Sequence, residues 1–128
     1  MSATVPSLAM AAGDFSVEGE WNGRTLSTRF RGNADLRARQ ALDNALTALH
    51  AEARRIGARD VAVDLSRLEF MNSSCFKSFV SWINRVQEMD AGARYQIRLL
   101  SNPALHWQKR SLHALQCFAT DLVQIEST

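Results

Sequence analysis

The 128-residue sequence holds only two cysteines, Cys75 and Cys117, far apart and in no Cys-x-x-Cys or Cys/His cluster. That excludes a zinc-held or disulfide-stapled framework and leaves two free thiols, as expected in a reducing compartment. No apolar run approaches the roughly 20 residues needed to cross a bilayer. The first 13 residues contain no Lys or Arg, so the basic start of a secretory signal is missing. These absences point to a cytoplasmic protein with no membrane partner. A strong charge of either sign is missing too: 15 basic and 13 acidic residues leave a net +2. The nearest basic cluster, Arg24, Arg29, Arg31, Arg37 and Arg39, lacks the interleaved aromatics of a base-stacking surface, so no nucleic-acid partner is expected. There is no G-x-x-x-x-G-K-[ST] loop and no G-x-G-x-x-G fingerprint, and His50, His106 and His113 have no tight spacing. No cofactor and no metal site is therefore expected.

What is present fits one globular domain, with 46% hydrophobic and 22% charged residues. Met1–Gly13 reads as a loosely ordered tail and 14–128 as the domain. Phe15–Trp21 and Thr25–Phe30 alternate in polarity around Asn22-Gly23, a hairpin signal whose two central residues need positive φ. Gly32-Asn33-Ala34-Asp35 reads as a turn and helix cap. A helix over Leu36–Ile56 follows, with Leu42, Ala45, Leu46, Leu49, Ala53 and Ile56 on one face and Gly57 ending it. Asp60–Leu65 reads as a short buried strand. Ser73–Met89 reads as a second helix, with Phe76, Phe79, Val80, Ile83 and Val86 as its stripe. Tyr95–Leu100 is expected as a strand, Asn102-Pro103 as the start of a third helix to Phe118, and Leu122–Ile125 as a last strand. The expected class is α/β, a mixed sheet of about five strands in the order β-β-α-β-α-β-α-β, parallel in its second half, with helices packed against it.

The most informative stretch runs from Val61 to Lys77. An apolar run ends in Asp64, and Asn72-Ser73-Ser74 then stands where a helix begins. Free N–H groups and the positive end of the dipole make such a place receptive to phosphate. Cys75, between strand and helix, invites a comparison with cysteine phosphatases, but the arginine needed six positions later is Ser81. Cys75 is read as a packing residue. Local readings also exist for the others: helix capping for Asp35, Ser73 and Ser74, and a strand-end acceptor for Asp64.

Three motifs in order, Gly32-Asn33-Ala34-Asp35, then Asp64-Leu65-Ser66 with Phe70-Met71-Asn72-Ser73-Ser74-Cys75, then Asn102-Pro103, resemble the STAS family of sulfate-transporter and anti-sigma-factor-antagonist domains. The resemblance covers the chain from Phe15 to about Ile125. It implies a non-enzymatic partner switch. A histidine-kinase-like ATPase, acting as anti-sigma factor or serine kinase, would bind the chain and phosphorylate Ser73, and a cognate protein phosphatase would reset it. Gly32, Asn33, Asp35, Asp64, Asn72, Ser74 and Lys77 would shape the same surface. Two positions depart from the family pattern: Asn72 stands for Asp and Cys75 for Gly, both expected to touch the surface a kinase reads. Trp82 is read either as an exposed partner anchor or as a contact for the first helix or the N-terminal tail. Two other readings stand beside the switch: a STAS-like scaffold that is not phosphorylated, and a nucleotide or small-molecule binder. The sequence leaves the oligomeric state open.

Overall fold

The computed structural model describes residues 2–128. Seven strands form one sheet, two more than expected. They are β1 (Ala3–Thr4), β2 (Met10–Ala12), β3 (Phe15–Trp21), β4 (Thr25–Ala34), β5 (Asp60–Met71), β6 (Gln96–Ser101) and β7 (Val123–Ser127). The order is β1-β3-β4-β5-β6-β7, with β2 also on β3. Pairing is antiparallel from β1 to β4 and parallel from β4 to β7, as the strand–helix alternation requires. Helices α1 (Arg39–Ile56), α2 (Ser73–Gln87) and α3 (His106–Cys117) join the sheet in one continuous core.

The sheet is covered on one face only. Phe15, Val17, Leu26, Phe30, Val61, Val63, Ile97, Leu99 and Val123 point to the helices and are buried. Of the residues on the other face, Glu18, Arg29, Asp60, Asp64, Arg98 and Glu126 carry charge. Arg29 lies between Glu18 and Asp64 at 3.6 and 3.4 Å, and Arg98 between Asp60 and Glu126 at 2.8 and 3.3 Å. These contacts cross three neighbouring strands each, so opposite signs alternate across the bare face.

The N-terminal residues are not the loose tail expected of them. β1 and β2 pair with the two ends of β3, and a 3-10 turn, Pro6–Leu8, links them. Leu8 is fully buried over Gly19, where a Cβ would stand 2.4 Å from Leu8 Cδ1. A side chain at position 19 would expel Leu8, so the glycine seats the whole segment.

The hairpin forms where Asn22-Gly23 indicates, but only Gly23 takes positive φ. Asn22 instead accepts from the N–H groups of Arg24 and Thr25 through its side-chain oxygen, at 2.8 and 2.6 Å.

The largest departure lies in the middle of the sheet. β4 runs on to Ala34 and β5 to Met71, where a turn and a loop were expected. The extension is irregular, with register shifts between Arg29 and Arg31 and between Gly32 and Asn33. The bulge lets Leu65 and Leu68, three positions apart, both face the core, which a two-residue period cannot show. Gly32 has φ 87°, and a Cβ there would lie 2.1 Å from the Asp14 carbonyl oxygen. Only glycine fits.

Asn102-Pro103 forms a turn, and α3 starts later, at His106. Asn102 accepts from Ala104 N–H through its side chain and from Leu105 N–H through its carbonyl, which holds the chain off helical course. Gln108, only 1% exposed, braces this turn against the bulge. Its amide donates to the carbonyls of Leu65 (2.6 Å) and Leu68 (3.3 Å) and accepts from Asn102 N–H (2.7 Å).

Candidate functional site

The extended ends of β4 and β5 deliver two sequence motifs to one place. Ala34 pairs with Met71, and Asn72 N–H donates to the Ala34 carbonyl at 2.9 Å. Gly32–Asp35 therefore lies directly beside Asn72–Lys77, as expected. Within this pair of segments the residues have separable tasks. Gly32 makes the bulge. Asn33 donates to Asp14 at 2.6 Å, tying the arm to the loop before β3. Asp35 caps a 3-10 turn, Leu36–Ala38, by accepting from Arg37 and Ala38 N–H. The Arg37 guanidinium, hydrogen-bonded to Asp35 at 3.1 Å, holds that carboxyl below its ordinary range.

Asn72 is the N-cap of α2. Its side-chain oxygen accepts from Cys75 N–H at 2.9 Å and its carbonyl from Phe76 N–H. The capping role considered for the two serines thus belongs to Asn72. Among the described residues, neither the Ser73 nor the Ser74 hydroxyl makes a hydrogen bond, and Ser73 is exposed. Lys77, one turn on, is exposed and forms no ion pair among the described residues.

Cys75 does not reach the surface. It is fully buried, its Sγ 3.6 Å from the Asp35 carbonyl oxygen, and it fastens the first turn of α2 to the end of β4. Burial, helped by the nearby charges of Asp43 and Asp35, pushes its thiol up to about 11, opposite to the activation a helix start gives an exposed cysteine. The expectation that both unusual positions touch the exposed surface therefore holds only for Asn72, which is half-buried.

Two of the proposed site residues lie elsewhere. Asp64 sits earlier on β5, on the bare face of the sheet. Its carboxylate accepts from Ser66 N–H and Oγ and pairs with Arg29, so it does not join the Ser73 cluster by any bond. Trp82 is fully buried and cannot anchor a partner. Its indole N–H donates to the Tyr95 hydroxyl at 2.9 Å, and that hydroxyl lies 2.7 Å from His50 Nδ1. The buried face of α2 is Cys75, Ser78, Phe79, Trp82, Ile83 and Val86, with Phe76 and Val80 only half-buried at its margin.

The structure offers different apolar contacts. Leu36, 69% exposed, follows the Asp35 cap, and Phe70, 46% exposed, is paired with Asn33 two residues before Asn72. Both flank Ser73. Two large apolar side chains left in water beside a polar centre are the arrangement a protein partner would cover. Leu36 lies within the expected first helix and Phe70 within an expected loop, and no local pattern marks either as exposed.

No protein-family model matches the sequence, and no curated protein matches it. Among solved structures, the chain is similar to an anti-sigma factor antagonist from Mycobacterium paratuberculosis, with a TM-score of 0.67. The identity is 17%, and the match spans 93% of this chain and 92% of that one. This is the fold of an anti-sigma factor antagonist. The antagonist fold extends over nearly the whole chain, the N-terminal strands and the bulged β4–β5 centre being part of one sheet. No described helix is long and apolar enough to cross a membrane.

Proposed function

We propose that the protein is a partner-switching regulator, an anti-sigma-factor-antagonist-like module that binds a histidine-kinase-like ATPase and is controlled at Ser73. The observation that carries this reading is the free hydroxyl of Ser73. It stands exposed at the first position of α2, while Asn72 does the capping. The backbone N–H groups of Ser73 and Ser74, in the first turn of α2, have no partner among the described residues. A phosphate on Ser73 would bring about −1.5 to −2 charges to these two amides and to the helix dipole. Lys77 lies one turn further on. The charge is thus accommodated within the folded chain, and its effect falls on the interface.

Leu36 and Phe70 supply the apolar contact of that interface and the Gly32–Asp35 arm its polar rim. Adding a phosphate between them removes a close fit built around a neutral hydroxyl. A loss of about 3 kcal/mol corresponds to a more than hundredfold weakening.

The test uses the cognate ATPase with ATP, intact mass for modification and titration calorimetry for affinity. Wild type takes one phosphate and Ser73→Ala takes none. Ser73→Asp, Leu36→Ala and Phe70→Ala bind the unmodified-state partner more weakly. Failure of wild type to be modified, or equal modification of Ser73→Ala, removes the switch. If Leu36→Ala and Phe70→Ala still lose binding in that case, the protein is a STAS-like scaffold that works without phosphorylation.

A further inference from the structure

The sheet has two margins, finished in different ways. At one, β1 and β2 cover β3. At the other, β7 is the last strand. Parallel pairing uses the backbone of alternate residues. Thr128 N–H donates to the Ser101 carbonyl and the Leu122 carbonyl accepts from Ile97 N–H, so even-numbered residues along β7 face β6. The odd-numbered ones turn their N–H and C=O groups away from the sheet. Those of Val123 are used nearby, by the Ala119 carbonyl at 2.9 Å and the Gln116 side chain at 3.2 Å. Ile125 and Ser127 have no such partner among the described residues. Free groups of this kind template the addition of another strand.

Beside this edge runs a groove of about 1360 Å³, with α3 on one side and Ile125 and Ser127 on the other. Its ionisable lining is Lys109, Arg110, His106 and His113, with no carboxylate. Neither Lys109 nor Arg110 makes an ion pair among the described residues. Trp107 adds apolar surface, and its indole N–H is enclosed without an acceptor.

We propose that this groove receives an acidic peptide segment of a partner protein, bound in extended conformation as an added strand on β7. The segment's backbone pairs with Ile125 and Ser127. One row of its side chains lies over Ile125 and Trp107, and its carboxylates meet Lys109 and Arg110. A second copy of this chain fits poorly, because pairing two β7 edges about a two-fold axis sets one cationic groove against another. The site shares no residue with the Ser73 surface and stands or falls without it.

The experiment is selection of a random displayed peptide library on the full chain, followed by fluorescence anisotropy of the enriched peptides. Enriched peptides are expected to carry their acidic and apolar residues together at every second position, on the one row that faces the groove, and to bind more weakly as salt is added. Affinity falls about tenfold or more on Lys109→Glu/Arg110→Glu and on Ile125→Pro, which removes an outward N–H at an edge position that tolerates proline. It is unchanged on Ser73→Ala. Where Ile125→Pro lowers the unfolding temperature, peptides N-methylated at alternate residues make the same test on the wild-type chain. The proposal is overturned if no peptide is enriched on wild type over the double variant, if enriched peptides show no acidic bias, or if binding is indifferent to N-methylation. It is likewise overturned if the chain dimerises and Ile125→Pro abolishes the dimer, since the edge then takes a second copy.

Discussion

Replacing Gln108 with leucine tests whether the bulge in β5 depends on one side chain. Leucine has similar bulk and suits the buried position, so packing changes little and the effect isolates hydrogen bonding. Three backbone groups lose their partner: the Leu65 carbonyl, the Leu68 carbonyl and Asn102 N–H. A buried polar group left unpaired costs about 1–3 kcal/mol. The 3.3 Å bond to Leu68 is the weakest of the three, and leucine recovers some apolar burial, so a net loss of about 3 kcal/mol is expected. For a chain of this length that lowers the unfolding temperature by roughly 10 °C. Urea unfolding followed by circular dichroism gives the free energy, and an unchanged m-value shows that the native state stays compact. Gln108→Glu refines the test. It retains an acceptor for Asn102 N–H but sets a negative charge against two carbonyl oxygens. That carboxyl is held protonated in the fold more readily than in the unfolded chain. The variant's deficit is then smallest below the unfolded carboxyl pKa and grows as pH rises through the folded one. A Gln108→Leu variant within about 0.5 kcal/mol of wild type, the ordinary range of a surface substitution, would refute the bracing role.

Other expectations follow from the core. Leu8→Ala should cost about 2–5 kcal/mol by urea unfolding, as for other buried leucines, whereas a loose tail would give no change. Tyr95→Phe leaves the Trp82 indole N–H unpaired and should cost about 1–3 kcal/mol, read in the same assay. His50 has its pKa lowered, first by burial and then by the charges of Arg85 and Arg54. The unfolded chain therefore binds the proton more readily, and stability should fall as pH drops through 6.5 toward the folded value, a slope that His50→Gln removes. With a chromogenic disulfide at pH 8, Cys117, which is exposed, should react at once, and Cys75 only as fast as the chain opens. Two fast equivalents would contradict the buried thiol.

The α/β class and the order of the main elements could be read from the sequence because each has a local signature, whereas the joining of Gly32–Asp35 to Asn72–Lys77 was implied by the family resemblance. Asn-Gly marks the hairpin, period-3.6 leucines mark α1, and Asn before serines marks the start of α2. What could not be read depends on partners distant in the chain. Leu8 finds its place in a gap at Gly19, and nothing in the alanine-rich start announces it. The β5 extension breaks its own period at the bulge, and the side chain that satisfies the freed carbonyls lies 40 residues on. Phe76 and Val80 drew the apolar stripe of α2 about one position off, which left Trp82 on the supposed outside. Its indole is instead buried, its one polar atom donating to the Tyr95 hydroxyl, which His50 also contacts.

The covered margin at β3 has a consequence for assembly. A sheet open at both ends can be copied without limit, each added strand exposing a fresh one. Here the first strands of the chain fold back over β3, so that margin ends in edge strands of two and three residues and β7 is the longer open edge. A foreign strand added at β7 meets no equally long edge at the far margin. Growth strand upon strand is disfavoured at that margin as long as Leu8 stays in its place over Gly19 and holds the short strands there.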